Sequence, residues 1–227
     1  MIKVIVFDLD DTLINESEFT FSAFEEISNF IANKLGKKAF NIYQHLLHLY
    51  KLDKAKIFNR LFDSLKIEYT DNAINELVQM YRNHKPNLKL SQSNKILIKK
   101  LKKQGFKLGI ITDGFKETQN NKIRALKLDQ LFDYIIVTDE LGPNRQYWKP
   151  HEKSFILMKE YFDCNYGEMI YVGDNVNKDF DAPIKLGINS IHILNHEGVY
   201  TDVNHMKNLI VIRNLNEICG LIEGNFK

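Results

Sequence analysis

Short apolar runs alternate with helical patterns along most of the chain. The first run, Ile2–Phe7, is rich in β-branched residues, as expected of a strand that is buried on both faces. Further runs of this kind lie at residues 108–112, 134–138, 169–172, 190–194 and 209–212. Helical spacing precedes several of them, as with Leu97 and Leu101 before the second run. The alternation predicts an α/β fold, a Rossmann-like parallel sheet with helices on both faces.

One long stretch interrupts this alternation. Between about Glu16 and Pro86 no strand pattern is evident, and apolar residues such as Ile57 and Leu61 recur at helical spacing. The stretch predicts about four helices inserted between the first and second strands. The expected domains are a Rossmann-like core of residues 1–15 and 87–227 and an all-helical cap of residues 16–86.

Composition and charge narrow the class of function. The chain has 31 basic and 29 acidic residues, a formal charge of +2, which is too balanced for a nucleic-acid-binding surface. Its two cysteines, Cys164 and Cys219, lack metal or redox spacing and fit reduced thiols. The N-terminal apolar run ends at Asp8, too early for a signal or membrane segment. We therefore expect a cytoplasmic protein with no nucleic-acid or membrane partner.

Acidic residues follow the first predicted strand directly, in the run Asp8-Leu9-Asp10-Asp11-Thr12. Ligands of parallel sheets bind beyond the carboxyl ends of the strands. Because alternate residues of an extended chain point the same way, Asp8 and Asp10 can converge there. Two close carboxylates repel each other unless a cation or a proton lies between them. Alternatively, Asp10 or Asp11 merely caps the following helix.

Polar residues also stand after later strands. Thr112-Asp113-Gly114 offers a hydroxyl and backbone amides that suit a phosphate oxygen, although an ordinary helix cap would explain the same residues. Lys149, before Pro150, can neutralise phosphate charge and keep Asp8 ionised, whereas a lone lysine is normally solvated surface.

A second acidic group, Asp174 and Asp179 with Asn175 between them, follows the run at 169–172. Carboxylates placed after a buried strand are costly without a hydrogen-bond network or a metal. Oxygen ligands of this kind suit Mg²⁺, which keeps several waters and leaves room for a phosphate. The alternative is an acidic surface loop.

Taken in order, these groups resemble the four motifs of the haloacid dehalogenase-like hydrolase superfamily. The run from Asp8 to Thr12 matches its first motif, Thr112 the second, Lys149 the third and the Asp174/Asp179 pair the fourth. The helical insertion lies where one large subfamily carries a cap. The resemblance covers nearly the whole chain and specifies the superfamily much better than the substrate.

The resemblance implies a two-step phosphoryl transfer with Mg²⁺ as cofactor. Asp8 would become an aspartyl-phosphate, while Asp10 would act as general acid and then as general base. The remaining roles it implies are phosphate binding by Thr112, Asp113 and Lys149, metal binding by Asp8, the backbone carbonyl of Asp10 and Asp174, and support of the metal by Asp179 and, more weakly, Asn175.

The function so implied is hydrolysis of a small phosphorylated metabolite, with a sugar phosphate as one candidate. A dehalogenase is disfavoured because a departing halide needs no acid such as Asp10, and a membrane cation pump is excluded by the lack of spanning helices. A phosphomutase and a catalytically silent phosphate-binding module remain alternatives. The substrate, the oligomeric state and the role of the polar loop Gly142–Trp148 stay open.

Overall fold

The computed structural model describes residues 1–194 and 209–224. In those residues no helix is both long and apolar enough to cross a membrane. The strands are β1 Val4–Phe7, β2 Lys107–Thr112, β3 Tyr134–Val137, β4 Met169–Gly173, β5 Asn189–Ile193 and β6 Ile210–Ile212. The helices are α1 Glu16–Leu35, α2 Ala39–Leu52, α3 Ile57–Leu65, α4 Asp71–Asn83, α5 Gln92–Lys103, α6 Lys116–Leu126, α7 Lys153–Tyr161, α8 Asp181–Leu186 and α9 Glu217–Glu223.

The strands form one parallel sheet in the order β3-β2-β1-β4-β5-β6. This is the order of the Rossmann fold, in which the chain builds outward on one side of β1 and then returns to build on the other. The switch falls between β1 and β4, where Val6 pairs with Tyr171. The predicted α/β fold is confirmed, and the carboxyl ends of the two central strands meet at the edge where ligands bind in such sheets.

Both faces of the sheet are buried at its central strand β1. Val4 and Val6 belong to one apolar cluster with Phe155 of α7 and Phe180, just before α8. The alternate residues of β1, Ile5 and Phe7, are also fully buried, so the run lacks a solvent face, as its unbroken hydrophobicity predicts.

The chain divides into two compact units, Met1–Glu16 with Lys89–Lys227 and Ser17–Leu88. The second unit holds almost all of α1 and the whole of α2, α3 and α4, so the long stretch without a strand pattern is helical as expected. An apolar cluster of its own fills this unit, with Leu46, Leu61 and Leu77 at or below 1% exposure. The hydroxyl of Thr70 accepts a hydrogen bond from the backbone amide of Ala73 and so caps α4.

The helical unit should depend on its own core. Leu46→Ala in α2 removes a side chain that is 0% exposed and should lower the free energy of unfolding by about 2–5 kcal/mol, because it leaves a cavity. Leu52→Ala in the same helix, where the residue is 66% exposed, should change it by less than about 0.5 kcal/mol. Urea unfolding followed by circular dichroism measures both, and equal losses would contradict the packing described.

Candidate active site

The carboxyl ends of β1 and β4 bring three carboxylates together. Asp8 follows β1, whereas Asp174 follows β4 and Asp179 lies in the turn after it. One carboxylate oxygen from each lies within 4.8 Å of the others, and all three residues are buried. The strand order therefore brings Asp8 and Asp174 together, although they are more than 160 positions apart in the chain.

The ammonium group of Lys149 lies in the middle of this cluster. Its Nζ is 2.8 Å from Asp8 Oδ1, 2.7 Å from Asp179 Oδ1 and 2.9 Å from the Tyr171 hydroxyl oxygen. The Tyr171 hydroxyl donates in turn to Asp179 Oδ1 at 3.1 Å. The Lys149 side chain is 0% exposed, so the surface-lysine alternative does not apply. The group is a buried ion network rather than a set of separate surface charges.

Asp179 and its neighbours are held by the backbone as well. Asp179 Oδ2 accepts from the backbone amide of Asn175 at 2.9 Å, and Asn175 Oδ1 accepts from the amide of Asn177 at 3.0 Å. A Cβ atom at Gly173 would lie 2.5 Å from Asp179 Oδ2, so the last position of β4 must lack a side chain. Asn175 therefore shapes this turn, and Asp179 holds both the turn and Lys149.

The cluster contains three buried carboxyl groups and one lysine, so its negative charges are not fully balanced. Burial raises the pKa of Asp174 to about 9, with Asp8 and Asp179 adding to the effect. Burial also raises the pKa of Asp8 to about 6, although Lys149 opposes the shift. For Lys149 burial acts to lower the pKa, but Asp179 and Asp8 outweigh it and the pKa is raised. One lysine is thus fully charged while one carboxyl prefers to keep its proton.

This donor set fits a divalent cation. Three buried carboxylates offer hard oxygen atoms at close range, and a cation beside them would offset the burial and like charge that raise the pKa of Asp174. Of the residues predicted to bind metal, Asp8 and Asp174 belong to the cluster. Asp179 also belongs to it, but both its oxygens already accept hydrogen bonds, which suits a supporting role.

Asp10 is held by a different set of residues. Lys122 Nζ lies 2.7 Å from Asp10 Oδ1 and 2.8 Å from Oδ2. Gln119 Nε2 donates to Asp10 Oδ2 at 2.9 Å and to Thr112 Oγ1 at 2.6 Å. The capping role considered for Asp10 or Asp11 belongs to Asp11, whose Oδ1 accepts from the backbone amide of Glu16 at the start of α1.

Asp113 lies at the end of β2, next to Thr112. Its Oδ1 accepts from the Thr138 hydroxyl at 2.6 Å and from the backbone amide of Lys149 at 3.1 Å. Lys178 Nζ lies 3.6 Å from its other oxygen. The carboxylate of Asp113 therefore ties the ends of β2 and β3 to the segment that carries Lys149, and only its backbone is suited to the phosphate role predicted for it.

The polar loop before Lys149 is anchored by aromatic contacts. Trp148 Nε1 donates to Asp139 Oδ1 at 3.0 Å, and Phe115 packs edge-to-face against the Trp148 ring. The guanidinium carbon of Arg145 lies 4.8 Å from the centres of both rings. The loop is thus fixed to the segment after β2, next to Asp113.

Gln119, Lys122 and Tyr171 are buried polar residues of the site that the sequence did not point to. Tyr171 stands inside an apolar strand, where its ring is expected to pack and does pack against Phe155. Gln119 and Lys122 lie three positions apart, on the buried face of α6 with Ile123 and Leu126. Polar residues at positions that share the apolar face of a helix are the signal that could have revealed Gln119 and Lys122.

Comparison with known proteins places the chain in a family. The model of the haloacid dehalogenase-like hydrolases matches residues 5–193. The chain is 33% identical over 208 residues to the glyceraldehyde 3-phosphate phosphatase of Methanocaldococcus jannaschii, covering 89% of each chain. It is 29% identical over 179 residues to the pyrophosphatase PpaX of Bacillus mycoides, covering 77% of this chain and 75% of that one. The crystal structure of a HAD phosphatase from Thermococcus onnurineus superposes with a TM-score of 0.62 at 22% sequence identity. The match covers 98% of this chain and 99% of that one.

Cation binding to this site should release a proton. Near pH 7 the metal-free protein holds a proton on Asp174, whose pKa is about 9, and a cation must displace it. Affinity for Mg²⁺ should therefore rise roughly tenfold per pH unit between about pH 6 and pH 9, and more steeply below the pKa of Asp8 at about 6.

Calorimetric titration with Mg²⁺ in two buffers of equal pH and different ionisation enthalpy measures the protons released. About one proton is expected at pH 7.5. Asp181→Asn, at an exposed position in α8, serves as the control and should release the same number. Affinity that is constant from pH 6 to pH 9 would contradict the protonation state assigned to Asp174.

Proposed function

The chain belongs to the haloacid dehalogenase-like hydrolase family, and on that premise we propose that it is a magnesium-dependent phosphatase of a small phosphorylated metabolite. The observation that carries the proposal is the buried contact of Lys149 with Asp8, beside Asp174 and Asp179. A carboxylate paired with a lysine and flanked by a cation site can attack a phosphate dianion, which otherwise repels an anionic nucleophile. The similar proteins that are named as a phosphatase and a pyrophosphatase support hydrolysis of a phosphate compound.

In the first step Asp8 attacks phosphorus through the oxygen that Lys149 does not contact. A new bond forms between that oxygen and phosphorus as the bond to the leaving oxygen breaks. Asp10, when protonated, gives its proton to the departing alkoxide. The Thr112 hydroxyl, the backbone at Asp113 and the Lys149 ammonium group hold the phosphoryl oxygens, where negative charge builds up in the transition state.

In the second step water attacks phosphorus and the bond to Asp8 breaks. Asp10, now ionised, accepts the proton that the water loses, so that phosphate leaves and both aspartates return to their starting states. Asp8 accepts the phosphoryl group because an acyl phosphate can form only on a carboxylate.

Mg²⁺ would be held by Asp8 and Asp174 of the carboxylate cluster and, as the family resemblance implies, by the backbone carbonyl of Asp10. Asp179 and Asn175 fix the surrounding turn. When bound, the ion would neutralise charge on the carboxylates and on the phosphate.

The relatives suggest which substrates to test first. The Methanocaldococcus jannaschii relative is named for glyceraldehyde 3-phosphate, and we propose a triose phosphate or another small sugar phosphate as the substrate class. Pyrophosphate is the second candidate, since the Bacillus mycoides relative is named as a pyrophosphatase. Phosphate release from each compound, with Mg²⁺ present, discriminates between them. A requirement for a sugar bisphosphate would instead reveal a phosphomutase.

Asp8→Asn should abolish turnover and leave the fold intact, because an amide cannot form the acyl phosphate. The expected loss in kcat is on the order of 10⁴-fold or more, as when a catalytic nucleophile is removed. Phosphate release and circular dichroism are measured together, with the exposed Asp181→Asn variant as a matched control that retains activity. A folded Asp8→Asn protein with near-parental turnover would overturn the nucleophile assignment, and an inactive parent would favour a silent phosphate-binding module.

Asp10→Asn should slow the reaction most on substrates whose leaving group must be protonated as it departs. On an alkyl phosphate the first step should fall by about 10²–10⁴-fold, the usual worth of general acid catalysis. On nitrophenyl phosphate, whose leaving group needs little protonation, the first step should fall much less. Single-turnover kinetics on the two substrates separates these cases, and an equal loss on both would argue against the acid role.

A further inference from the structure

Helix α6 places a lysine and a glutamine in the interior of the protein. Lys122 is 2% exposed and Gln119 is 1% exposed, although both side chains carry strong hydrogen-bonding groups. Burying an ammonium group is unfavourable unless it is paired, and the carboxylate of Asp10 provides a partner at 2.7 and 2.8 Å. A leucine or methionine would fill the same buried space without this penalty, so the charge of Lys122 calls for a functional explanation.

Gln119 links Asp10 to the end of β2. Its Nε2 atom donates one hydrogen to Asp10 Oδ2 and the other to Thr112 Oγ1. The amide must face this way, since the opposite orientation would set its oxygen against the Asp10 carboxylate. Because Thr112 Oγ1 accepts from Gln119, the hydroxyl proton of Thr112 is directed elsewhere and can serve a phosphoryl oxygen.

The backbone after β2 leaves room for this amide. Gly114 has a φ of +138°, and a Cβ atom there would lie 2.8 Å from Gln119 Cδ and 2.9 Å from its Oε1. A side chain at Gly114 would therefore displace Gln119 in addition to straining the backbone. The glycine that follows Thr112 and Asp113 in the sequence is thus matched to a glutamine five positions later.

We propose that Lys122 and Gln119 are positioning residues for Asp10, which rests on the phosphatase mechanism proposed above. Lys122 grips both oxygens of the carboxylate and fixes its orientation, while Gln119 ties the same carboxylate to the phosphate-binding hydroxyl of Thr112. Two side chains of α6 thus hold the general acid–base residue Asp10 and the phosphate-binding residue Thr112 in a fixed relation to each other. An acid–base group must sit within hydrogen-bond reach of the proton it moves, and small misplacements are costly in rate.

The first test is Lys122→Met, which keeps the length of the side chain and removes its charge. We expect kcat to fall by about 10- to 100-fold, the scale of a misplaced catalytic group, with KM within about twofold of the parent. Lys122→Arg should recover part of the loss, because a guanidinium group can contact both carboxylate oxygens. Lys116→Met, at an exposed position in the same helix, is the matched control and should retain full activity.

The decisive measurement is the effect of Lys122→Met in the Asp10→Asn background. If Lys122 acts through Asp10, the second substitution should lower kcat by less than about threefold there. Losses that multiply in the double variant would show that Lys122 acts independently and would overturn the proposal. Gln119→Met provides a second route should Lys122→Met fail to fold, and it should lower kcat and also raise KM, since Thr112 loses its partner.

Failure of the mechanism and failure of this inference give different results. If the parent is inactive, or Asp8→Asn remains active, the proposed function falls. If the parent is active, Asp8→Asn and Asp10→Asn are impaired, and folded Lys122→Met and Gln119→Met match the parent, only the positioning role falls.

Discussion

The buried ammonium group of Lys149 is the interaction on which the rest of the site depends. Removing an ammonium group from water is expensive, and here two carboxylates and a hydroxyl at 2.7 to 2.9 Å offset the penalty. Those partners come from the end of β1, from β4 and from the turn after β4, so they meet only when β1 and β4 are neighbours. Asp113 fixes the backbone of Lys149 from the end of β2. The strand order is therefore required by charge pairing as well as by burial of the apolar runs.

Charge balance at the same place explains the unusual state of Asp174. Lys149 compensates Asp8 and Asp179, whose carboxylates it contacts directly. Asp174 is buried beside them, and burial followed by the nearby charges raises its pKa to about 9. Such a carboxyl contributes stability that is fully present below its ordinary pKa of 3.8 and is lost progressively as the pH rises to about 9, where the folded protein also releases the proton. A divalent cation would take the place of the proton, so metal binding and the pH dependence of stability share one cause.

Much of the fold could be read from the sequence because burial on both faces leaves a simple trace. The run beginning at Val4 is a strand, and the strand ends locate Asp8, Thr112 and Asp174. Individual side chains are harder, since an apolar residue can lie on either side of a helix: Ile96 fits the pattern of α5 yet is 56% exposed, while Lys122 beside Ile123 is buried. Partners such as Lys122 and Asp10, 112 positions apart, become visible only when the chain is folded.

Asp8 and Asp10 stand two positions apart in the sequence but have different partners. An extended chain would turn both side chains toward the same side, but β1 ends at Phe7 and the alternation need not hold beyond it. Asp8 consequently contacts Lys149, whereas Asp10 contacts Lys122 and Gln119. Because a different lysine faces each carboxylate, a proton that moves on or off Asp10 changes the charge beside Lys122 and leaves the pairing of Asp8 with Lys149 in place. In the proposed mechanism this independence matters, because Asp8 must be ionised when it attacks phosphorus, while Asp10 loses or gains a proton in each step.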